Sequence, residues 1–450
     1  MDEIFDLVII GGGPAGTHAA SEAVKAGMKT ALIEADALGG TCLNRGCIPT
    51  KTLLHTASLY REMKSGAEIG LLATDVSVDM AALQRYKDGV VEKLVGSIEQ
   101  GLQKAKVMLF RGSARLRSPT EVEIGGETLE TKRVLLATGS LPVRIPVPGI
   151  DLPGVYDSTG MLALETIPES VVIIGGGVVG MEFASLYCDL GSRVTVIEAL
   201  DRLLANMDRE LGQSLRMSLK KRGADIHTSA SLKEIRKADD GLVCVYTEKE
   251  TEAEAQGDAV LIAVGRRPNT AELFAPGCAP EMERGRIVVN ERYETSLPGV
   301  WAVGDVTGGI QLAHMASAEA SNAVAIMCGK QPQIRTDVVP SCVYTSPEIA
   351  SVGISPQDAK KQGLRVTTKK VPMTANGKTV LSRGERGYIS VTADAETGRI
   401  LGAQMLCERA TDMIGEFASA IVNGLTLEQL APVIRPHPTY NEAIGELLRS

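Results

Sequence analysis

Aromatic side chains are scarce in this 450-residue chain: they make up 3% of it, with a single tryptophan. Proteins that track single-stranded nucleic acid need such rings as stacking platforms, so the scarcity argues against that class. An excess of positive charge is also missing, since 55 acidic residues against 47 basic ones give a net charge of −8. That balance disfavours a general binder of nucleic acid or anionic membrane. Long hydrophobic runs are absent too. The N-terminal stretch MDEIFDLVIIGGG carries an apolar run too short for a signal-peptide core or a membrane span, and a cytosolic protein is the expectation. Histidine is sparse, with His18, His55, His227, His314 and His437 dispersed along the chain. A structural zinc site needs about four ligands, typically in two close pairs, so no metal is expected.

Hydrophobic residues at 44% and charged ones at 23% describe a globular protein, and the length calls for two to four domains. Cys188, Cys244, Cys278, Cys328, Cys342 and Cys407 lie at wide intervals and read as small apolar core residues. Only Cys42 and Cys47 form a local pair, inside GGTCLNRGCIPTK.

An internal repeat carries the architecture. LVIIGGGPAGTHAASEAVKAGMKTALIEA at 7–35 returns as VVIIGGGVVGMEFASLYCDLGSRVTVIEA at 171–199. The copies align Gly11, Gly13, Gly16 and Glu34 with Gly175, Gly177, Gly180 and Glu198. A lone GxGxxG is weak evidence, but each copy has a β-branched strand before it, a helix after it, and a second strand ending in glutamate. The first glycine permits the turn, the second lets backbone approach a pyrophosphate, and the third brings helix against strand. Diphosphate then meets the helix N-terminus, and the glutamate is placed to accept from ribose hydroxyls. Two dinucleotides are implied. Glu198 would repel a 2′-phosphate, which favours NAD over NADP at the second site.

VLLATGS at 134–140 and WAVGDVTGG at 301–309 are apolar strands ending in glycine turns, and the latter presents Asp305. Both suit a flavin, although an aspartate after a strand is ordinarily a turn former. From 337 onward, short β runs (VTTKKVPM, GYISVTAD, RILGAQMLC) alternate with helical stretches, indicating an α+β C-terminal domain. Pro49 suits a first helical turn, which would put Cys47 at a helix N-terminus where a thiolate is stabilised, with Lys51 nearby. Beside a flavin, such a thiolate is a redox group.

Taken together, GGTCLNRGCIPTK, the two glycine motifs, ATG, the GD turn and HPTYNE resemble the flavin-dependent pyridine nucleotide:disulfide oxidoreductases over essentially the whole chain. Within that family, GGGVVGMEFA, Glu198, QLAH and HPTxxE look most like the branch that oxidises dihydrolipoamide. The resemblance implies an α/β fold with two Rossmann-like dinucleotide-binding domains and an α+β C-terminal dimerisation domain. It implies an FAD domain at 1–146 completed by a central segment at 266–336, an NAD domain at 147–265 and an interface domain at 337–450. Gly11, Gly13, Gly16, Glu34, Thr41, Lys51, Ala114, Gly139, Asp305 and Ala313 would lie on FAD. Gly175, Gly177, Gly180, Glu182, Glu198 and Gly265 would line the NAD site, with Lys51 paired to Glu182.

Catalysis, on the same resemblance, falls to a Cys42–Cys47 redox disulfide, with Cys42 exchanging with substrate and Cys47 addressing the flavin. His437 and Glu442 would be the acid–base unit, although a histidine before proline in a loop is more often structural. A homodimer and a lipoyl-bearing protein partner are implied, in a 2-oxoacid dehydrogenase or glycine cleavage system. The alternatives are a reductase of another small disulfide, glutathione-reductase-like, and a non-catalytic flavoprotein subunit or redox sensor. The chain departs from the family's usual residues at Arg45, between the cysteines, and at Arg435, Tyr440 and Asn441 around His437.

Overall fold

The computed structural model describes residues 4–450. The chain divides into two compact units. One gathers the chain up to Thr52 with Ala81–Val143 and Gly265–Thr336; the other holds Leu53–Met80, Arg144–Val264 and Asp337–Ser450.

The first unit is built on a five-stranded parallel sheet in the order Val300–Ala302, Val134–Leu136, Leu7–Ile10, Thr30–Glu34, Met108–Arg111. Both faces of such a sheet are covered, so its strands read as unbroken apolar runs. LVII and TALIE are buried throughout, as that rule requires. Helix Pro14–Lys25 makes the crossover between the central strands and packs on helix Ala313–Met327. The seam is made of Ala15, Ala19, Ala20 and Ala23 against Ala316, Ala320 and Ala323, small side chains that let two backbones approach closely.

The second unit contains the other copy of the repeat. Its parallel sheet runs Asp225–Thr228, Arg193–Glu198, Ser170–Ile174, Ala259–Ile262, Val155–Tyr156, with helix Val178–Leu190 in the place of Pro14–Lys25. The unit also holds a three-stranded antiparallel sheet, Ala230–Ala238, Gly241–Glu248, Thr251–Gly257, and a five-stranded antiparallel sheet ordered Ser341–Val343, Ile349–Gly353, Ile400–Leu406, Tyr388–Asp394, Val366–Pro372. The three β runs read from the sequence after residue 337 are strands of this sheet. Helices Ala410–Val422 and Glu442–Arg449 close its core, burying Phe417, Ile414, Ile444 and Leu447 on Ile389, Val391 and Met405. Of the six scattered cysteines expected in the core, Cys244 and Cys407 are buried, whereas Cys188, Cys278, Cys328 and Cys342 are only half-buried.

The third glycine of each repeat is the tightest point of its crossover. A Cβ at Gly16 would stand 1.7 Å from the Gly11 carbonyl oxygen, and one at Gly180 would stand 2.0 Å from that of Gly175. Gly16→Ala or Gly180→Ala should therefore destabilise by about 3 kcal/mol or more. Gly89, inside helix Met80–Lys104, has nothing within 4 Å of its Cβ position. There Gly89→Ala should stabilise by roughly 0.5–1 kcal/mol. Denaturant unfolding of the three variants checks both signs.

Candidate active site

In the first unit, Gly11, Glu34 and Asp305, among the residues expected on FAD, end or follow strands of the parallel sheet. Gly11 sits at φ 108°, and a Cβ there would meet the Ala137 carbonyl oxygen at 2.3 Å. Gly13 caps helix Pro14–Lys25 without a side chain to occupy the first-turn amides. Glu34, at the end of its strand, accepts from the Gly12 amide at 2.6 Å with one oxygen and from the Asp36 amide at 2.8 Å with the other. Burial pushes its carboxyl above the ordinary range, and the Gly12 hydrogen bond opposes that shift.

Next comes the cysteine stretch. Gly39 and Gly40 adopt positive φ, and the Gly39 amide donates to the Gly12 carbonyl at 2.8 Å. A Cβ on Gly40 would lie 2.8 Å from Gly13 Cα, so only glycine lets this segment press on the first glycine turn. A short helix, Gly40–Arg45, then carries Thr41 and Cys42, and Asn44 locks it by donating to the Leu38 and Gly40 carbonyls, each at 2.9 Å. Helix Cys47–Lys64 begins at Cys47 itself, two residues ahead of Pro49.

Cys42 and Cys47 stand as a hydrogen-bonded thiol pair. That hydrogen bond is the main cause pushing the Cys42 thiol far up; burial and the charge of Cys47 add to it, while Lys51 works against it. Cys47 opens its helix, where free backbone amides favour a thiolate. Arg45, which the sequence places between the two thiols, forms an ion pair with Asp36 instead.

Asp305 lies in the single turn Gly304–Thr307 after Val300–Ala302. Ser140 donates to it at 2.5 Å, and Arg266 donates to the Ser140 hydroxyl at 2.7 Å and to its carbonyl at 2.6 Å. Glu319, from helix Ala313–Met327, accepts the Gly304 amide at 2.6 Å. Sequence reading assigned no role to Ser140, Arg266 or Glu319. Glu319 left one signal, a lone acid in the run AHMASAEASNAVAIM. Gly139 lies at φ 71° after the strand Val134–Leu136, Ala114 opens the strand Ala114–Ser118, and Ala313 opens its helix.

The second unit repeats the cradle. A Cβ on Gly175 would meet the Ala263 carbonyl oxygen at 2.4 Å, and one on Gly177 would meet nothing within 4 Å. Glu198 accepts from the Gly176 amide and, at 2.6 Å, from that of Leu200. Glu182 is buried in helix Val178–Leu190 and accepts the Tyr344 amide at 3.0 Å. Gly265, expected with this group, belongs to the first unit, where its carbonyl accepts from Val143. Both helix N-termini thus present amides with no side-chain cap in front of them, a setting that fits a diphosphate.

His437 and Glu442 are brought together as expected. The imidazole Nδ1 lies 2.8 Å from one Glu442 oxygen, and the Thr439 amide donates to the other at 2.9 Å. The Thr439 amide, then His437, hold the Glu442 carboxyl below the ordinary range. The His437 side chain is 78% exposed, so its Nε2 edge is available to a reactant.

Residues 5–320 match the pyridine nucleotide-disulphide oxidoreductase family, and residues 339–448 match that family's dimerisation domain. The chain belongs to the pyridine nucleotide-disulphide oxidoreductases. It is 40% identical over 447 residues to dihydrolipoyl dehydrogenase of Thermus scotoductus, covering 98% of this chain and 96% of that one. With the dihydrolipoyl dehydrogenase of Mycoplasma pneumoniae it shares 37% identity over 453 residues, covering 99% and 98%. Among solved structures it resembles the HOCl-induced flavoprotein disulfide reductase RclA from Escherichia coli, with a TM-score of 0.89, 31% identity and 99% of both chains covered. As a member of this oxidoreductase family, the enzyme works with FAD and NAD. No helix among the described residues is long and apolar enough to cross a membrane.

Glu319 offers a test of the electrostatics. Burial raises its carboxyl, the Gly304 amide opposes this and the charge of Asp305 adds to it. The folded state thus disfavours the ionised form, a penalty absent below the ordinary carboxylate value and complete above the raised one. Glu319→Gln keeps an acceptor for Gly304 without that penalty. Its Tm minus that of the wild type should therefore grow as pH rises above the ordinary carboxylate value, by calorimetry of the holoenzyme; a gap independent of pH would contradict the assignment.

Proposed function

We propose that this oxidoreductase is a dihydrolipoyl dehydrogenase: it oxidises dihydrolipoamide to lipoamide and reduces NAD+ to NADH. The observation that carries the reading is the placement of the two thiols, with Cys42 half-buried in the short helix seated on the first glycine cradle and Cys47 exposed at the N-terminus of the next helix. Full-length identity of 37–40% to dihydrolipoyl dehydrogenases supports the substrate.

The steps follow from the side chains. His437, oriented by Glu442, takes a proton from one thiol of dihydrolipoamide, because only the thiolate attacks a disulfide. The thiolate bonds to Cys42 and the Cys42–Cys47 bond breaks, leaving Cys47 as thiolate. The second substrate sulfur, its proton passing to Cys42, then displaces Cys42 and releases lipoamide and a reduced cysteine pair. FAD, held at the first glycine cradle and Asp305, would supply the two-electron relay by which NAD+ is reduced to NADH, the cysteine pair returning to its disulfide and one proton being released. In this reading Gly11, Gly13, Gly16, Glu34, Thr41, Lys51, Ala114, Gly139, Asp305 and Ala313 hold the flavin nucleotide. Gly175, Gly177, Gly180, Glu182, Glu198 and Gly265 hold NAD.

We assign 1–146 with 266–336 to the FAD domain, 147–265 to the NAD domain and 337–450 to a homodimer interface. The match to a dimerisation domain supports the last of these. A lipoyl-bearing protein is the partner that brings the substrate. A cytoplasmic location suits the scattered cysteines, which form no disulfide framework in sequence.

Steady-state rates with dihydrolipoamide plus NAD+ should far exceed those with glutathione disulfide plus NADPH; activity with the second pair alone would overturn the proposal. His437→Gln should lower dithiol oxidation by roughly 10²–10⁴-fold while a flavin-only diaphorase reaction with NADH survives. Persistence of both reactions would remove His437 as the base.

A further inference from the structure

Arg435, Tyr440 and Asn441 surround the His437–Glu442 pair, and each has a defined partner. The Arg435 side chain is 5% exposed, forms an ion pair with Glu416 of helix Ala410–Val422, and donates to the Val433 carbonyl at 3.0 Å. Asn441 reaches the other oxygen of the same Glu416 at 3.4 Å. Tyr440 shares a hydrogen bond with Ser382 at 2.8 Å, and Asn376 donates to the Thr439 carbonyl at 3.0 Å. Gly445 lies against this cluster, where a Cβ would stand 3.2 Å from Arg449 Nη2 and 3.4 Å from Arg435 Nη1.

Residues 435 and 441 bracket the loop that carries His437, and one carboxylate holds both. We propose that Glu416 and Arg435 are positioning residues for the acid–base pair, fastening both ends of the 435–441 loop to helix Ala410–Val422 so that the imidazole keeps its orientation. The inference rests on the reading of His437 as the base. His437 is largely exposed, so its place is inherited from Glu442 and from the loop. A misplacement of about 1 Å in such a group is enough to cost on the order of 10²-fold in rate. A buried guanidinium also requires its counter-charge, so removal of either partner leaves an unbalanced charge beside the site.

Other charges around the loop are Glu442, Asp412 and Arg409 near the start of Ala410–Val422, Lys378, and Arg449 packed at Gly445. Arg409 lies 3.5 Å from Asp412. Against this mixed background, Glu416→Gln adds net positive charge and Arg435→Met adds net negative charge.

The test uses the holoenzyme and compares kcat/KM for dihydrolipoamide across pH with the NADH diaphorase rate. Each single variant should lose about 10-fold in the dithiol reaction, with diaphorase activity within about twofold of wild type. The acid limb of the dithiol profile should move to lower pH in Glu416→Gln, where added positive charge favours a neutral base. It should move to higher pH in Arg435→Met, each shift being roughly 0.3 unit for charges about 10 Å apart at high dielectric. Arg435→Lys, which keeps the charge, should restore the limb. Limbs that coincide with wild type, shifts of the same sign, or parallel loss of both reactions would overturn the proposal. His437→Gln in the same assay separates the two levels: retained dithiol oxidation there defeats the base assignment, whereas loss there with unaffected clamp variants defeats the clamp alone.

Discussion

A carboxylate at the end of one strand closes the glycine turn at the end of its neighbour, and this bond is made twice. Glu34 holds the Gly12 amide and Glu198 holds that of Gly176, each across 22 residues of sequence. The turns cannot carry side chains at their first and third glycines, so packing alone would leave them poorly fixed; the carboxylate supplies the missing constraint. An ionised carboxylate offers about four acceptor positions, and the second oxygen of each glutamate is used on the amide two residues downstream. Acceptor capacity remains for a ribose. Structural closure and nucleotide binding are therefore compatible in one side chain.

The redox pair depends on the first of these turns. Gly39 donates to Gly12, and Gly40 lies against Gly13 at a distance no side chain would permit. Because the short helix bearing Cys42 is seated there, the thiols are registered to the nucleotide cradle through backbone, the stiffest connection available. The two sulfurs are then differentiated by position alone. Cys42 is inside a helix of six residues and shielded, while Cys47 opens a helix of 18 and is exposed. One chemical group is thus set in two electrostatic environments.

The features legible in the sequence are those whose physics is local. Glycine spacing, the strand-ending glutamates and the start of the second cysteine helix follow from turn geometry and helix dipoles over a few residues. The His437–Glu442 pair was legible only through resemblance, since a five-residue gap in a loop fixes no distance. Side chains joined across long stretches of chain were not legible. Ser140 meets Asp305 across 165 residues and Arg266 meets Ser140 across 126, and neither residue is unusual in its own neighbourhood. Arg45 stands between the two cysteines in sequence, yet helix Gly40–Arg45 carries its guanidinium round to Asp36. The scattered cysteines were over-assigned to the core for a related reason: composition gives a residue's average burial, whereas four of the six sit at half-covered positions.

Cofactor choice and fold integrity converge on Glu198. With its two oxygens held by the amides of Gly176 and Leu200, the side chain has no room to swing aside when a ligand arrives. On the NAD reading, a 2′-phosphate would meet a negative charge that the backbone itself keeps in place, and that charge is 9% exposed, where screening by solvent is weak. Discrimination is thus built into the turn. An arginine introduced there to welcome the phosphate would place a donor where two amides require an acceptor. The second cradle would have to find another way to close before it could accept the other nucleotide.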